Sequence, residues 1–307
     1  MRLSIGVLIV ACLVAYVPLD EVVASLRAVA WKWLLAACAL ALCAEWLASI
    51  QLRILADAHR LQLSTLQVFE MNLATRLYGL IMPGGTLATM AVRIYRLSGK
   101  HGHYAGGALA ATADRLVATL NLCVVGCIFW LLALPRDGLL WLALNLATLT
   151  AMAVVVAALL ARRPWPLKQL LLRMGDRFLG ARFATVRRAV WESRAMPGRR
   201  FSAIFALSIA QHLLGIATFY LLALALGLPL DLIEIGWIRS AMVLASLLPV
   251  SLLGLGPREG AALLALQTYG ISAHASVAFS LSVFAVCVLF LGLLGGAVEF
   301  RRHLVAH

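Results

Sequence analysis

Charged side chains are scarce in this sequence, and acidic ones are the scarcest. Only 13% of the 307 residues are charged, with 13 Asp and Glu against 26 Lys and Arg, whereas soluble domains carry roughly 25%. Because 63% of the residues are hydrophobic, no stretch is polar enough to form a separate soluble domain. Apolar runs close to the roughly 20 residues that cross a bilayer recur from end to end. The composition therefore predicts an all-α integral membrane protein.

The sequence also lacks the motifs of disulfide scaffolds, metal centres and common active sites. Its six cysteines lie in apolar runs without a CxxC pair, and its carboxylates form no DxD or DxxxD pattern. Cys123 and Cys127 are one helical turn apart, but no His or carboxylate lies near them in sequence, so we expect them to pack. We predict no catalytic residue, cofactor or metal ion, although His101 and His103 form an isolated pair.

The net charge of +13 is distributed as in a membrane protein, and we expect no binding of nucleic acid. Lys and Arg cluster at the ends of apolar runs, most densely in 162–200, where eleven of them face only Asp176 and Glu192. This asymmetry predicts that the basic connections and both termini are cytoplasmic. Apolar residues at helical spacing within 162–200 predict an amphipathic helix on the cytoplasmic membrane surface. Anionic or phosphate-bearing phospholipids are the expected partners.

Six apolar stretches are predicted to span the membrane within one polytopic domain, 1–307. They are 3–17, 31–52, 105–134, 139–161, 201–227 and 275–300. The first is similar to a signal sequence, but charged residues separate it from the small residues of 28–30. We therefore interpret it as a retained transmembrane helix.

Two further apolar stretches are interrupted by proline and glycine, which remove or loosen helical hydrogen bonding. In lipid, unpaired backbone groups are tolerated only inside protein or against a water-filled cavity. Residues 86–97 after the first break are too few to cross the hydrocarbon and end at a basic side. Each break therefore predicts a re-entrant helical hairpin. The breaks are marked by Pro83, Gly84 and Gly85 in the first stretch, and by Pro249, Gly254 and Gly256 in the second.

The two predicted hairpins have similar sequences and opposite orientations. Each joins an apolar helix to a proline, a glycine-rich turn and an arginine, Arg93 or Arg258, nine or ten residues after the proline. This pattern predicts an inverted repeat, 31–134 and 201–300, of the kind that forms transporter sites near the membrane midplane. Two unrelated helix kinks are the alternative, because short Pro/Gly matches arise easily in apolar chains.

Charged and polar side chains inside these segments form the candidate site. An Arg, Lys or Asp at a helix centre costs roughly 2.5–3.5 kcal/mol, so each needs a partner or a function. Guanidinium groups bind phosphate bidentately, and helix starts favour anions. We predict a site for a lipid headgroup phosphate, with mutual pairing of the charges as the alternative. Its residues are Asn72, Arg76, Arg93, Asp114, Arg115, Arg258 and Glu259, near the further charges Glu45 and Glu70.

Several motifs resemble the lysylphosphatidylglycerol synthase transmembrane family, a flippase-like membrane domain, in order along essentially the whole chain. The most specific motif is the run 248–260. The others are Asn72, Pro83-Gly84-Gly85, Arg93-Ile94-Tyr95, Asp114-Arg115 and Tyr269-Gly270.

The resemblance implies the membrane half of the two-domain family members, without the soluble domain that makes the lipid. In those members this half is associated with moving aminoacylated phosphatidylglycerol across the bilayer. Stand-alone relatives, which are bacterial and archaeal, are linked to other lipids or polyprenyl-linked sugars, and we expect this chain in the bacterial plasma (inner) membrane. This chain departs from the family where Ala88-Thr89-Met90 replaces a frequent Gly-Gly-Asp. The missing carboxylate puts the same headgroup specificity in doubt.

The leading hypothesis is a lipid translocase that moves a phospholipid or polyprenyl-linked lipid between leaflets. Arg93 and Arg258 would hold the headgroup phosphate, and Asp114 and Glu259 would orient these arginines or pair with a cationic headgroup. An integral-membrane lipid-modifying or glycosyl transferase is an alternative, as is a small-solute secondary transporter. A non-transporting partner of a separate lipid synthase or glycosyltransferase, docked through 162–200, is another.

Overall fold

The computed structural model describes residues 19–81, 86–99, 103–133, 198–246 and 257–305. These residues are almost wholly helical and contain no strand, which confirms the predicted all-α class. The last two helices are joined by a π-helical turn, Ala285–Phe290, into one continuous rod. The helices in chain order are α1 (Leu19–Arg27), α2 (Trp31–Ala58), α3 (Thr65–Ile81), α4 (Thr86–Ser98), α5 (Tyr104–Ala133), α6 (Gly198–Ala225), α7 (Leu232–Ser246), α8 (Pro257–Gln267), α9 (Ala273–Phe284) and α10 (Leu291–Val305).

Among the described residues, four helical rods are long and apolar enough to cross a membrane: α2, α5, α6 and the continuous stretch Ala273–Leu304. At 1.5 Å per residue, the 28 residues of α2 exceed a hydrocarbon core of roughly 30 Å. These rods coincide with four of the six predicted spans. The other two, 3–17 and 139–161, lie outside the described residues, as does 162–197 of the predicted surface helix. The chain is therefore a multi-pass membrane protein.

Four shorter helices form two pairs, α3 with α4 and α7 with α8. Helix α4 has 13 residues and α8 has 11, so each is only about 20 Å long or less. Helices α3 and α4 are antiparallel, because Arg93 contacts Asn72 and a Cβ atom at Gly79 would lie 2.7 Å from Thr89. The six residues at the predicted breaks lie outside the described part of the chain. The short helices flank them as the sequence predicts.

The long helices α2 and α6 pack antiparallel against each other. The Ala30 amide donates to the Ala225 carbonyl (2.9 Å) at one end of this contact. Further along, the Gln211 side chain donates to Gln51 (2.8 Å). Helix α3 packs on α10, and α7 packs on α5. Helix α3 of the first half of the bundle (α2–α5) therefore contacts the last rod of the second half (α6–α10), and α7 of the second half contacts the last rod of the first.

Ion pairs tie α3 and α4 to the carboxyl end of α10. Arg96 on α4 donates two hydrogen bonds to Glu299 (2.7 and 2.6 Å). Arg301 and Arg302 both contact the carboxylate of Glu70. At the opposite end of the bundle, α1 contacts α9. These arginines therefore lie at the end of the bundle where α3 begins and α10 ends.

Candidate functional site

A cavity of about 410 Å³ lies between the two halves of the bundle. Its wall includes side chains of α2 to α8, of the rod α9–α10 and of the π-helical turn between them. This volume is in the range of sites that bind small molecules or headgroups. π-Helical turns occur frequently at functional sites, and Cys287 and Val288 of this one line the cavity. The polar side chains of the wall are Glu45, Asn72, Thr75, Arg76, Thr89, Arg93, Arg115, Thr119, Gln211, His212, Thr218, Arg239, Ser246 and Arg258.

In the first half, a buried network surrounds Arg93. Its Nη1 donates to Asp114 Oδ2 (2.8 Å) and its Nη2 donates to Asn72 Oδ1 (3.0 Å). Gln51 Nε2 donates to the other Asp114 oxygen (2.9 Å), and Asn72 Nδ2 donates to Ser49 Oγ (3.0 Å). The Arg93 Nε is buried and has no hydrogen-bond partner. The mutual pairing of charges, which the sequence left as the alternative to ligand binding, is therefore present between Asp114 and Arg93 at the cavity wall.

A second ion pair in this half joins α2 to α3. Arg76 Nη2 donates to Glu45 Oε2 (2.8 Å), and the Glu45 side chain is buried. Arg115 follows Asp114 on α5, and its exposed side chain lines the cavity. Arg115 makes no ion pair or hydrogen bond with the described residues. One guanidinium of the first half therefore faces the cavity without a partner among the described residues.

In the second half, Arg258 and Glu259 lie in the first turn of α8, which begins at Pro257. Proline is favoured at this first helical position because the N–H that it lacks would have no hydrogen-bond acceptor within the helix. Arg258 contacts the carboxylate of Glu259 through Nε (3.1 Å) and Nη2, and Ser280 Oγ donates to the same oxygen (3.2 Å). The guanidinium also lies 5.2 Å from the Phe284 ring centre, within reach of a cation–π contact. Both charged side chains are buried.

Arg239, on α7, is a further cavity residue that the sequence analysis missed. Its Nη1 lies 3.5 Å from His212 Nδ1 and its Cζ lies 5.7 Å from the Phe219 ring centre. Its Nε is buried without a hydrogen-bond partner. Arg239 is the single charge in the apolar run 235–248. The cost of a charge at that depth could have identified it, although its neighbours on α6 could not be inferred from sequence.

Guanidinium groups outnumber carboxylates around the cavity. Five arginines line it, whereas Glu45 is the only carboxylate residue among its described lining residues. Asp114 and Glu259 lie behind Arg93 and Arg258. These three carboxylates pair with three of the arginines, so Arg115 and Arg239 have no carboxylate partner among the described residues. The cavity is therefore electropositive, and its chemistry suits an anion.

The structure brings all seven predicted site residues to one place. Asn72, Arg76, Arg93, Arg115 and Arg258 line the cavity. Asp114 and Glu259 contact the lining arginines directly. Glu70, in contrast, lies at the end of the bundle against Arg301 and Arg302 and not at the cavity. In the described ranges, no group of three or more His, Cys, Asp or Glu could hold a metal ion.

Comparison with known proteins confirms the resemblance that the sequence motifs indicated. The model of the lysylphosphatidylglycerol synthase transmembrane region matches residues 2–295, which is nearly the whole chain. No curated protein matches the chain. The chain belongs to the family of the lysylphosphatidylglycerol synthase transmembrane region.

Proposed function

We propose that this protein is a flippase-like lipid translocase, which moves a phospholipid or polyprenyl-linked lipid between the leaflets of the membrane. The observation that carries the proposal is the cavity with five guanidinium groups between the two halves. In surroundings of low polarity each charge is costly, and a headgroup phosphate offers the compensating charge. Family membership supports a role in membrane lipid chemistry.

The headgroup phosphate binds Arg93 and Arg258, which come from a short helix in each half. Both residues keep donors that their carboxylate partners do not use: the Nε of Arg93 has no partner, and the Nη1 of Arg258 makes no hydrogen bond with the described residues. Asp114 and Glu259 hold the two guanidinium groups in orientation through charge-assisted hydrogen bonds. The acyl chains remain in the surrounding lipid, so only the polar headgroup enters the cavity.

Access to the two leaflets alternates by rocking of one half against the other. The support for this step is the exchange of contacts between halves, in which α3 packs on α10 and α7 packs on α5 around the antiparallel pair α2 and α6. Such an arrangement is expected of an inverted repeat whose short helices are re-entrant from opposite sides. Units of about 31–134 and 201–300 then move relative to each other.

In this proposal the protein lies in the bacterial plasma (inner) membrane with both termini in the cytoplasm. The end of the bundle where α3 begins carries Arg301 and Arg302 of α10. The opposite end carries Asp231 and Glu234 in the connection and first turn of α7. The excess of Lys and Arg on cytoplasmic connections supports this orientation.

The experiment is translocation of fluorescent phosphatidylglycerol in proteoliposomes that contain the purified full chain. Bleaching of the outer leaflet by dithionite measures the fraction of lipid that crosses. Hydrogen bonds to charged groups contribute roughly 1.5–3 kcal/mol, so Arg93→Ala and Arg258→Ala should each slow translocation by about tenfold or more.

Arg53→Gln is the matched control, because Arg53 is an exposed arginine outside the cavity, paired with Asp57. It should translocate at the wild-type rate. Arg258→Lys keeps the charge but loses the planar fork, and an intermediate rate is expected. Unchanged translocation in both Arg93→Ala and Arg258→Ala proteins would contradict the proposal.

A further inference from the structure

Two pairs of side chains occupy corresponding places in the two halves. Helices α2 and α6 each have 28 residues, and Glu45 and His212 are each the fifteenth residue of their helix. Each faces an arginine on the short helix that follows along the chain. Glu45 faces Arg76 on α3 (2.8 Å), and His212 faces Arg239 on α7 (3.5 Å). The second half thus repeats the pair of the first with a histidine in place of the carboxylate.

The two pairs differ in charge. Glu45 neutralises Arg76 directly. His212 Nε2 lies 2.8 Å from the Ala118 carbonyl oxygen, which can only accept a hydrogen bond, so this nitrogen carries the proton. A neutral imidazole then offers Nδ1 to Arg239 as an acceptor without negative charge. The positive charge of Arg239 has no compensating carboxylate in the described residues.

The backbone of α6 makes room for the guanidinium. A Cβ atom at Gly215 would overlap the Arg239 guanidinium group, so the absence of a side chain there lets Arg239 lie against the helix. The Phe219 ring flanks it through a cation–π contact. Gly215, Phe219 and Arg239 all line the cavity. The guanidinium is thus held in place at the wall, and its buried Nε has no hydrogen-bond partner among the described residues.

We infer that Arg239 is an anion-binding residue of the cavity, and that its ligand is a phosphate group. The phosphate supplies in the second half the negative charge that Glu45 supplies in the first. A phosphate suits the place because its oxygens match the planar fork of a guanidinium. Gln211 and Thr218 add neutral polar groups to the same wall. The inference rests on the proposed function when the phosphate belongs to a lipid headgroup, and free phosphate has the same chemistry.

The test measures binding to the purified full chain in a maltoside detergent, which contains no phosphate. Three ligands are titrated by calorimetry: short-chain phosphatidylglycerol, inorganic phosphate and a glycosyl diacylglycerol without phosphate. We expect the phosphate-bearing lipid to bind and the glycolipid not to compete with it. Arg239→Gln should weaken that binding about tenfold or more, since a charge-assisted hydrogen bond is lost.

Two variants separate ligand binding from a structural role of Arg239. His212→Glu places a carboxylate beside Arg239, as in the first half, so it should raise the melting temperature while it weakens phosphate binding about tenfold or more. Gly215→Ala displaces the guanidinium without changing any charge and should also weaken binding. Arg53→Gln, outside the cavity, should bind like the wild type.

Wild-type affinity for phosphatidylglycerol in both Arg239→Gln and His212→Glu proteins would overturn the inference. If such proteins also translocate lipid normally while Arg93→Ala does not, the proposed function stands without a role for Arg239. If the wild type binds inorganic phosphate through Arg239 but moves no lipid, the anion site stands and the proposed function fails.

Discussion

At the scale of residues, the buried charges of this protein divide into compensated and uncompensated ones. Arg93 with Asp114 and Arg76 with Glu45 are ion pairs between different helices. Breaking a buried pair by removing one partner costs about 3–5 kcal/mol, because a single charge is left without compensation. Arg239 has no such partner in the described residues, so its energetic cost points to a ligand. Pairing with a carboxylate and the ligand binding that we propose are therefore two uses of the same kind of side chain.

A double-mutant cycle on Arg93 and Asp114 tests the structural contribution of the buried pair. Their side chains are 9% and 11% exposed, so Asp114→Ala should lower the free energy of unfolding by about 3–5 kcal/mol. The double variant should recover part of this loss, since no uncompensated charge remains. Unfolding of the purified protein in mixed detergent micelles measures each value.

The matched control is the pair Arg53 and Asp57, whose side chains are 47% and 40% exposed. An exposed pair four residues apart on a helix contributes only about 0.3–0.5 kcal/mol. A coupling energy for Arg93 and Asp114 no larger than that of the control pair would refute the role assigned to the buried network.

Sequence alone predicted the candidate residues better than their partners. The seven predicted site residues, six of them charged, all meet at or behind the cavity wall. The cost of charge in lipid also singled out Glu70, which lies away from the cavity. The same rule applies to Arg239, but no glycine-rich break or motif lies beside it in sequence. The hydrogen bond from Gln51 to Asp114 joins residues 63 positions apart. Such contacts depend on how helices pack, which residue type and spacing do not determine.

At the scale of elements, close helix contacts depend on glycines. Helices in a membrane gain little from hydrophobic burial, so small residues at their interfaces allow tight van der Waals packing. A Cβ atom at Gly295 would overlap the backbone carbonyl of Leu73, where α10 crosses α3. At Gly126 it would lie 2.6 Å from Ser240, where α5 crosses α7. Both crossings connect a short helix to the last rod of the other half.

Two neighbouring glycines allow a paired test of this packing. Gly295→Ala must push α10 away from the α3 backbone and should destabilise the protein by about 1–3 kcal/mol. A Cβ atom at Gly296 would be 3.7 Å from Leu77, an ordinary contact. Gly296→Ala should therefore be neutral or gain up to about 1 kcal/mol from helix propensity. Thermal unfolding in detergent compares them, and equal melting temperatures would show that the crossing is not close-packed.

The sequence predicted these elements well because their signals are local. Apolar runs gave the four described spans, and the short helices lie where the proline and glycine patterns placed them. The contact of α3 with α10, however, joins helices that are far apart along the chain. No local pattern carries that information.

At the scale of the whole molecule, the two halves enclose one electropositive cavity. The inverted repeat remains a prediction from sequence, and it would relate the contact of α3 with α10 to the contact of α7 with α5. A phosphate-bearing headgroup would bridge arginines of both halves, so its binding would couple their relative movement. The headgroup phosphate is therefore the central claim of this account.

The most direct measurement of that claim compares two fluorescent lipids in the same proteoliposomes. One is phosphatidylglycerol and the other a glycosyl diacylglycerol with the same acyl chains and no phosphate. After the protein-free rate is subtracted, the wild-type protein should move phosphatidylglycerol at least about tenfold faster than the glycolipid. This is the factor expected from one charge-assisted hydrogen bond. Equal rates for the two lipids, or faster movement of the glycolipid, would contradict that claim.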